Sequence, residues 1–290
     1  MPDVWKVVDL LDVTRVFFEK KGIVGTARLD AELLLARVLG CRRIDLYLRF
    51  DQAVAEPQLS GFRELVRQRG ERRPVKQLLG RCEFMSHDFE VTPDVLIPRP
   101  ETEAVVGQAL ARIGEGEAAV VDLGTGSGNI AVSIALARPR VTVYATEISE
   151  PALAVARRNA ERLGVAGRVV LLPGDLFAPL SGRGLEGRVD CVVSNPPYVA
   201  ESELRGLMDE VVRFEPRVAL VSDEDGLGHT LRILRDAGAY LRPGGALVLE
   251  MSPRLAERTR AAATSEAYDE ITTVRDLAKL ERVLIARRKA

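Results

Sequence analysis

The stretch Asp122-Leu123-Gly124-Thr125-Gly126-Ser127-Gly128 lies between an apolar run, Ala118–Leu123, and a helical pattern over Ile130–Ala137. A strand that turns through glycines straight into a helix is the opening βα unit of a doubly wound α/β domain. Glycine at alternate positions permits positive φ and lets a ligand approach the backbone closely. The spacing is G-x-G-x-G, not the G-x-G-x-x-G of dinucleotide sites, and Asn129 stands where a P-loop needs its lysine. The loop therefore reads as a cofactor cradle rather than a phosphate cradle, with Gly124, Thr125, Gly126, Ser127 and Gly128 as candidate contacts.

The next strand, Val141–Thr146, is followed by Glu147, 19 positions after Gly128. A carboxylate there accepts two hydroxyl donors, which suits a ribose diol. Asp175, after the strand Val169–Leu172, is placed to accept from an adenine amino group. Each acid has a plainer reading as a helix cap. In series with the glycine loop they point to an adenosine-bearing cofactor. Further strands over Asp190–Ser194, Ala246–Met251 and Val283–Ala286 alternate with helices over Pro151–Leu163 and Thr230–Tyr240. That alternation predicts a parallel sheet covered on both faces, with ligands at the carboxyl ends of its strands.

The strand Asp190–Ser194 runs into Asn195-Pro196-Pro197-Tyr198. Two prolines stiffen the loop and remove two backbone donors, leaving carbonyls that only accept. Asn195 adds a side-chain acceptor, and Tyr198 an aromatic face with a polar tip. An amide or aryl amino nitrogen is a poor nucleophile because its lone pair is delocalised. Asn195 Oδ1 and the Pro196 carbonyl together hold both N–H groups of such a nitrogen and favour charge developing on it during in-line methyl transfer. Asn195, Pro196 and Tyr198 are thus the candidate catalytic residues. A rigid proline turn with a capping Asn is the plainer alternative.

Upstream, apolar residues recur at helical spacing, as in Val4, Val7, Val8 and Leu11, and in Leu29, Leu33, Leu34 and Val38. A small helical bundle is expected over the first 80 or so residues. Arg63 to Arg81 is locally basic, either a solvated helix face or a contact surface for RNA or a partner. Cys82–Met85 and Asp88–Val91, joined at Ser86-His87, predict a hairpin, and Pro98 and Pro100 lead into a helix with Glu101 or Glu103 in its first turn.

The bulk numbers narrow the partners. At 290 residues two domains are expected. A net charge of −1, with 15 basic against 11 acidic residues in the first 80, is too little for a phosphate-gripping surface, so nucleic acid is not the expected substrate. Three scattered cysteines and two histidines make neither a disulfide framework nor a metal site, so no metal is expected. No apolar stretch is long enough to span a membrane, and the N-terminus lacks a signal-peptide pattern, so a cytoplasmic protein is expected.

Several segments together resemble the HemK/PrmC family, the protein-(glutamine) methyltransferases of peptide chain release factors. They are Leu79–Phe84, Val95–Glu103, Asp122–Gly128, Ser194–Tyr198, Glu215–Leu220, Asp225-Gly226 and Leu241–Glu250, in the family's order. The resemblance implies a helical substrate-recognition domain over 1–78, a β-hairpin linker over 79–98, and a class I, Rossmann-like methyltransferase domain over 99–290. It implies that S-adenosyl-L-methionine is the cofactor and that the acceptor is the glutamine of the Gly-Gly-Gln motif in class I release factors. It places Gly124 to Gly128, Glu147, Asp175, Leu176 and Asn195 on the cofactor. Asn195, Pro196, Pro197 and Tyr198 would line the glutamine pocket, with Arg99 and Glu103 in its supporting wall. The chain departs from the family's pattern in four places: Glu147 replaces the usual Asp, and Leu176 stands where an aromatic often covers adenine. Met251–Arg254 replaces an Ile/Val-Gly stretch, and Asp276 to Arg282 lacks a glycine. A ribosomal-protein glutamine, or an adenine amino group of DNA or RNA, would suit the same nitrogen-holding loop.

Overall fold

A computed structural model describes residues 4–223, 225–265, 268–276 and 278–289. Met1, Pro2, Asp3 and Leu277, which entered the sequence reading, lie outside the described residues. Contacts divide the chain into two compact units. One is the chain up to Arg81 together with Met208–Phe214, and the other is Cys82–Leu207 with Glu215–Ala290.

The first unit is helical. It comprises α1 (Val7–Lys20), α2 (Ala27–Leu39), α3 (Glu56–Gly70), α4 (Val75–Leu79) and the short helix Asp209–Phe214. Asp9 reaches back to accept the Lys6 N–H and so starts α1. Val7, Leu11 and Phe18 pack against Ala31, Leu34 and Leu35 of α2 and Phe62 of α3. Two expected core positions are exposed: Val4 precedes the helix, and Leu29 sits one helical step off the buried stripe. The basic stretch is largely paired within this unit. Arg67 bridges Glu64 and Glu71, and Arg63 meets Glu56. Arg69 is buried and donates to Asp30 at 2.7 Å, with Glu210 at 3.0 Å. A solvated face with one internal ion pair accounts for these arginines.

The hairpin β1 (Arg81–Phe84) and β2 (His87–Glu90) starts at the last residue of the first unit's main segment and lies otherwise in the second. Its turn is Met85-Ser86, one residue earlier than expected, with both at positive φ (50° and 61°). That conformation matches the twist of the strands but is strained for side chains other than glycine. The Glu103 carboxylate holds it by accepting the Met85 N–H at 2.8 Å.

The α/β body then runs α5 (Glu103–Leu110), β3 (Ala118–Leu123), α6 (Asn129–Ala137), β4 (Val141–Glu147), α7 (Glu150–Arg162), β5 (Val169–Pro173), β6 (Val189–Ser194), α8 (Gly228–Tyr240), β7 (Leu241–Glu250), α9 (Ala256–Ser265), β8 (Tyr268–Arg275) and β9 (Glu281–Arg288). The sheet order is β5-β4-β3-β6-β7-β9-β8. Its first five strands are parallel, but β9 runs antiparallel to both β7 and β8. The expected all-parallel sheet is therefore mixed. The short link from Arg275 to Glu281 leaves no room for a crossover helix. Within that link Asp276 accepts the Leu280 N–H and pairs with Arg282, and Lys279 takes the left-handed conformation in place of a glycine. Val120 and Val121 on β3 point to opposite faces, one core under α5 and α6 and the other under α8 and α9. Register aligns Leu123 with Thr146 on one side and Ser194 on the other. Gly124, Glu147 and Asn195 thus leave the sheet side by side, where the strand order reverses.

Replacing Arg69 by Met should leave Asp30 as a buried carboxylate without its cation. We expect the helical unit to lose about 3 kcal/mol. The lone tryptophan, Trp5, belongs to this unit and reports on it in urea. An unchanged fluorescence midpoint would show that the ion pair carries no stability.

Candidate active site

The glycine loop is held from below and from both sides. Gly124, Gly126 and Gly128 have φ of 66°, 55° and 82°, which a side chain rarely adopts. A Cβ on Gly128 would lie 3.2 Å from that of Ala156, so the loop also packs tightly on α7. Asp122, fully buried beneath it, accepts Thr125 Oγ1 at 2.6 Å and the Ala131 N–H at 3.2 Å. Its second oxygen is buried with no hydrogen-bond partner. Burial pushes the Asp122 carboxyl up to about 7. Asn159 donates to Ser127 O at 2.9 Å and accepts the Glu90 N–H at 2.7 Å, tying loop and hairpin to α7.

Glu147 closes the other side. Its two oxygens accept the N–H groups of Gly126 and Ser149, each at 2.9 Å. Each oxygen keeps a further lone pair. Ser149 caps α7 by accepting the Ala152 N–H, so the acid and the helix start are separate residues. Asp175 pairs with Arg232 at 2.5 Å. Leu176 sits at positive φ (45°) and is largely buried.

One cavity gathers Gly124, Gly126, Glu147, Asp175, Leu176, Asn195 and Pro197. Thr125 and Ser127 are buried and do not line it, nor does Gly128. Ile148, Pro216, Val218, Ala219 and His229 line it as well, and the sequence reading gave none of them that role. Ile148 is a signal in hindsight, an exposed large apolar side chain directly after the strand-end acid. Burial and the Arg232 cation hold the His229 imidazole below its ordinary value, so it is neutral near pH 7.

Across the cavity the Asn195 loop is pinned from behind. Asn195 Nδ2 donates to Thr102 Oγ1 at 3.2 Å, and Thr102 Oγ1 donates to Glu250 Oε2 at 2.6 Å. Tyr198 Oη donates to Glu250 Oε1 at 3.4 Å. Burial and the Glu250 charge push the Tyr198 phenol well above its ordinary value, so it stays protonated. The Tyr198 carbonyl accepts from Arg254 at 3.2 Å, and a Cβ on Gly226 would fall 2.6 Å from that oxygen. Pro196 is buried, and Tyr198 opens on a second hollow with Glu203 and Arg254. Arg99 is held by the buried Glu215, which also accepts the Ile97 N–H. Arg99 and Glu103 do not line this cavity: one braces Glu215 and the other braces the hairpin turn. Thr102 and Glu250, which anchor the Asn195 loop, were given no role by the sequence reading.

A family model described as the PrmC N-terminal domain matches residues 9–80, and one described as a methyltransferase small domain matches 106–218. A release factor glutamine methyltransferase of Rhodopirellula baltica is 45% identical over 286 residues, covering 97% of this chain and 95% of that one. One from Geobacter sulfurreducens is 41% identical over 283 residues, covering 98% and 97%. Among solved structures, a methyltransferase from Pyrococcus furiosus aligns with a TM-score of 0.52 at 21% identity, covering 71% of this chain and 91% of that one, a likeness of fold.

Asp122 makes a pH signature. An acid raised in the native state above its unfolded value, about 3.9, contributes stability below that value and loses it as pH climbs through the native one, here about 7. Asp122→Asn should abolish that loss. From pH 5 to pH 8 the wild type should fall by roughly 2 kcal/mol relative to the variant in urea titrations. Parallel pH profiles would show that Asp122 is ionised throughout.

Proposed function

Since the chain belongs to the release factor glutamine methyltransferase family, we propose that it methylates the side-chain amide nitrogen of the glutamine in the Gly-Gly-Gln motif of class I release factors. It is an S-adenosylmethionine-dependent methyltransferase. The carrying observation is the orientation of Asn195. Its amide nitrogen is engaged by Thr102, which leaves Oδ1 as an acceptor beside the cofactor cavity.

The residues present fit S-adenosylmethionine. The positive-φ glycines leave room that a Cβ would take, and Glu147 keeps lone pairs for two hydroxyls. Asp175 and Leu176 stand on the cavity wall as the proposed adenine contacts, with Ile148 as a further apolar surface. Thr125, Ser127 and Gly128 act by holding the loop. When bound, S-adenosylmethionine supplies an electrophilic methyl group on a sulfonium.

The chain's part is to make a weak nucleophile reactive. Asn195 Oδ1 and the Pro196 carbonyl accept the two N–H groups of the glutamine amide, while Pro197 and Tyr198 wall its pocket. These fixed acceptors favour positive charge gathering on nitrogen and hold its lone pair in line. The proton then leaves to solvent as the methylated amide forms. Tyr198, protonated and bonded to Glu250, acts as a wall and a donor, not a base. Arg99 and Glu103 support the pocket through Glu215 and the hairpin. Such an acceptor puts the reaction in the cytoplasm. Among the described residues no helix is long and apolar enough to cross a membrane.

The test is mass spectrometry of the Gly-Gly-Gln peptide after incubation of a class I release factor with enzyme and cofactor. One methyl on the glutamine is expected. An unmodified glutamine with cofactor binding confirmed would sink the proposal, and methyl on a ribosomal-protein glutamine or an adenine would redirect it. Asn195→Ala should lower kcat by about 100-fold, the scale of losing one preorganised polar contact in a transition state. Cofactor affinity should change far less.

A further inference from the structure

We propose that Glu250 is a positioning residue that acts through the Thr102 hydroxyl to set which end of the Asn195 carboxamide faces the acceptor. A carboxamide is nearly symmetric in shape. Turned one way it offers an oxygen to an incoming N–H, and turned the other way it offers an NH₂ that repels it. Packing alone decides poorly between the two, so a hydrogen-bond partner must.

Thr102 has one proton to give. An ionised Glu250 only accepts, so at 2.6 Å it takes that proton. The Thr102 oxygen is then left with lone pairs alone toward Asn195, and only the NH₂ end of Asn195 can satisfy it. Oδ1 is thereby turned to the acceptor. Tyr198 supplies a donor to the other Glu250 oxygen, so both oxygens face donors, as an ionised carboxylate needs. Thr102 and Glu250 are each 2% exposed, so water does not compete for these bonds. The three residues come from separate parts of the chain, the turn before α5, the end of β6 and the end of β7.

The relay has a polarity, and the polarity is reversible. A proton on Glu250 would be donated to Thr102 Oγ1, the hydroxyl proton would swing to Asn195, and the carboxamide would settle the other way round. The groups that face Glu250 pull in both directions. Burial, the largest influence, together with the Glu101 carboxylate outweighs the Thr102 and Tyr198 bonds and the Arg282 cation, and holds the Glu250 carboxyl above its ordinary value. The expected consequence is loss of activity as pH falls through the Glu250 titration.

The glutamine acceptor rests on the function proposed above, but the relay itself can be read without a substrate. The chain has only three asparagines, Asn129, Asn159 and Asn195. Asparagine-selective ¹⁵N labelling of the full-length protein therefore yields three side-chain NH₂ pairs. The Asn195 pair should move in Thr102→Val, which removes the hydroxyl at equal size, and stay in place in Thr102→Ser. In the release-factor assay Thr102→Val should lose about 30-fold in kcat, while Thr102→Ser stays within about threefold. Glu250→Gln should lose the acid limb of the pH–rate profile. Asn195 signals that coincide in wild type and Thr102→Val, or full kcat in Thr102→Val, would overturn the relay. If wild type leaves the release factor unmethylated, the proposed acceptor falls and the Asn195 signals still decide the relay.

Discussion

A carboxylate taken out of water must be met by donors, and the loops around this site are shaped by how that demand is answered. Three acids sit in or at the carboxyl ends of parallel strands: Asp122 on β3, Glu147 on β4 and Glu250 on β7. Between them they hold the loops of the site. Asp122 holds the glycine turn through Thr125 and the start of α6 through Ala131. Glu147 joins the same turn to the start of α7 through two backbone amides. Glu250 holds the proline loop through Tyr198 and the turn before α5 through Thr102. The cavity lies between these loops, and of the three acids only Asp122 is left with one oxygen unpartnered.

This arrangement explains which parts were legible in the sequence. The glycines and Glu147 announce themselves because they directly follow strand patterns, where a run of turn residues or a charge is out of place unless it has a task. Glu250 carries the same signal at the end of Ala246–Leu249, yet its partners Thr102 and Tyr198 are distant in sequence, so nothing local marks it. Of the last two strands β9 was expected, over Val283–Ala286, and only β8 was hard to read, for another reason. Tyr268–Arg275 is an edge strand with one fully buried residue, so it lacks the apolar run that marks β3 or β6. The basic stretch was readable as charge but not as pairing, because Asp30 and Glu210, the partners of Arg69, lie far from it along the chain.

The placement of Glu250 also resolves a chemical tension. A site that handles an electrophilic methyl group must keep good nucleophiles away from it, and a carboxylate is a better nucleophile than an amide nitrogen. An acid set directly on the acceptor would orient it well and be alkylated in its place. Withdrawn behind Thr102, buried and engaged on both oxygens, Glu250 gives its orienting effect without offering a lone pair to the cavity. The groups proposed to face the acceptor, the Asn195 amide oxygen and the Pro196 carbonyl, are neutral dipoles and poor nucleophiles. Selectivity for nitrogen over oxygen at this site is then a matter of which oxygens are allowed to be charged, and where.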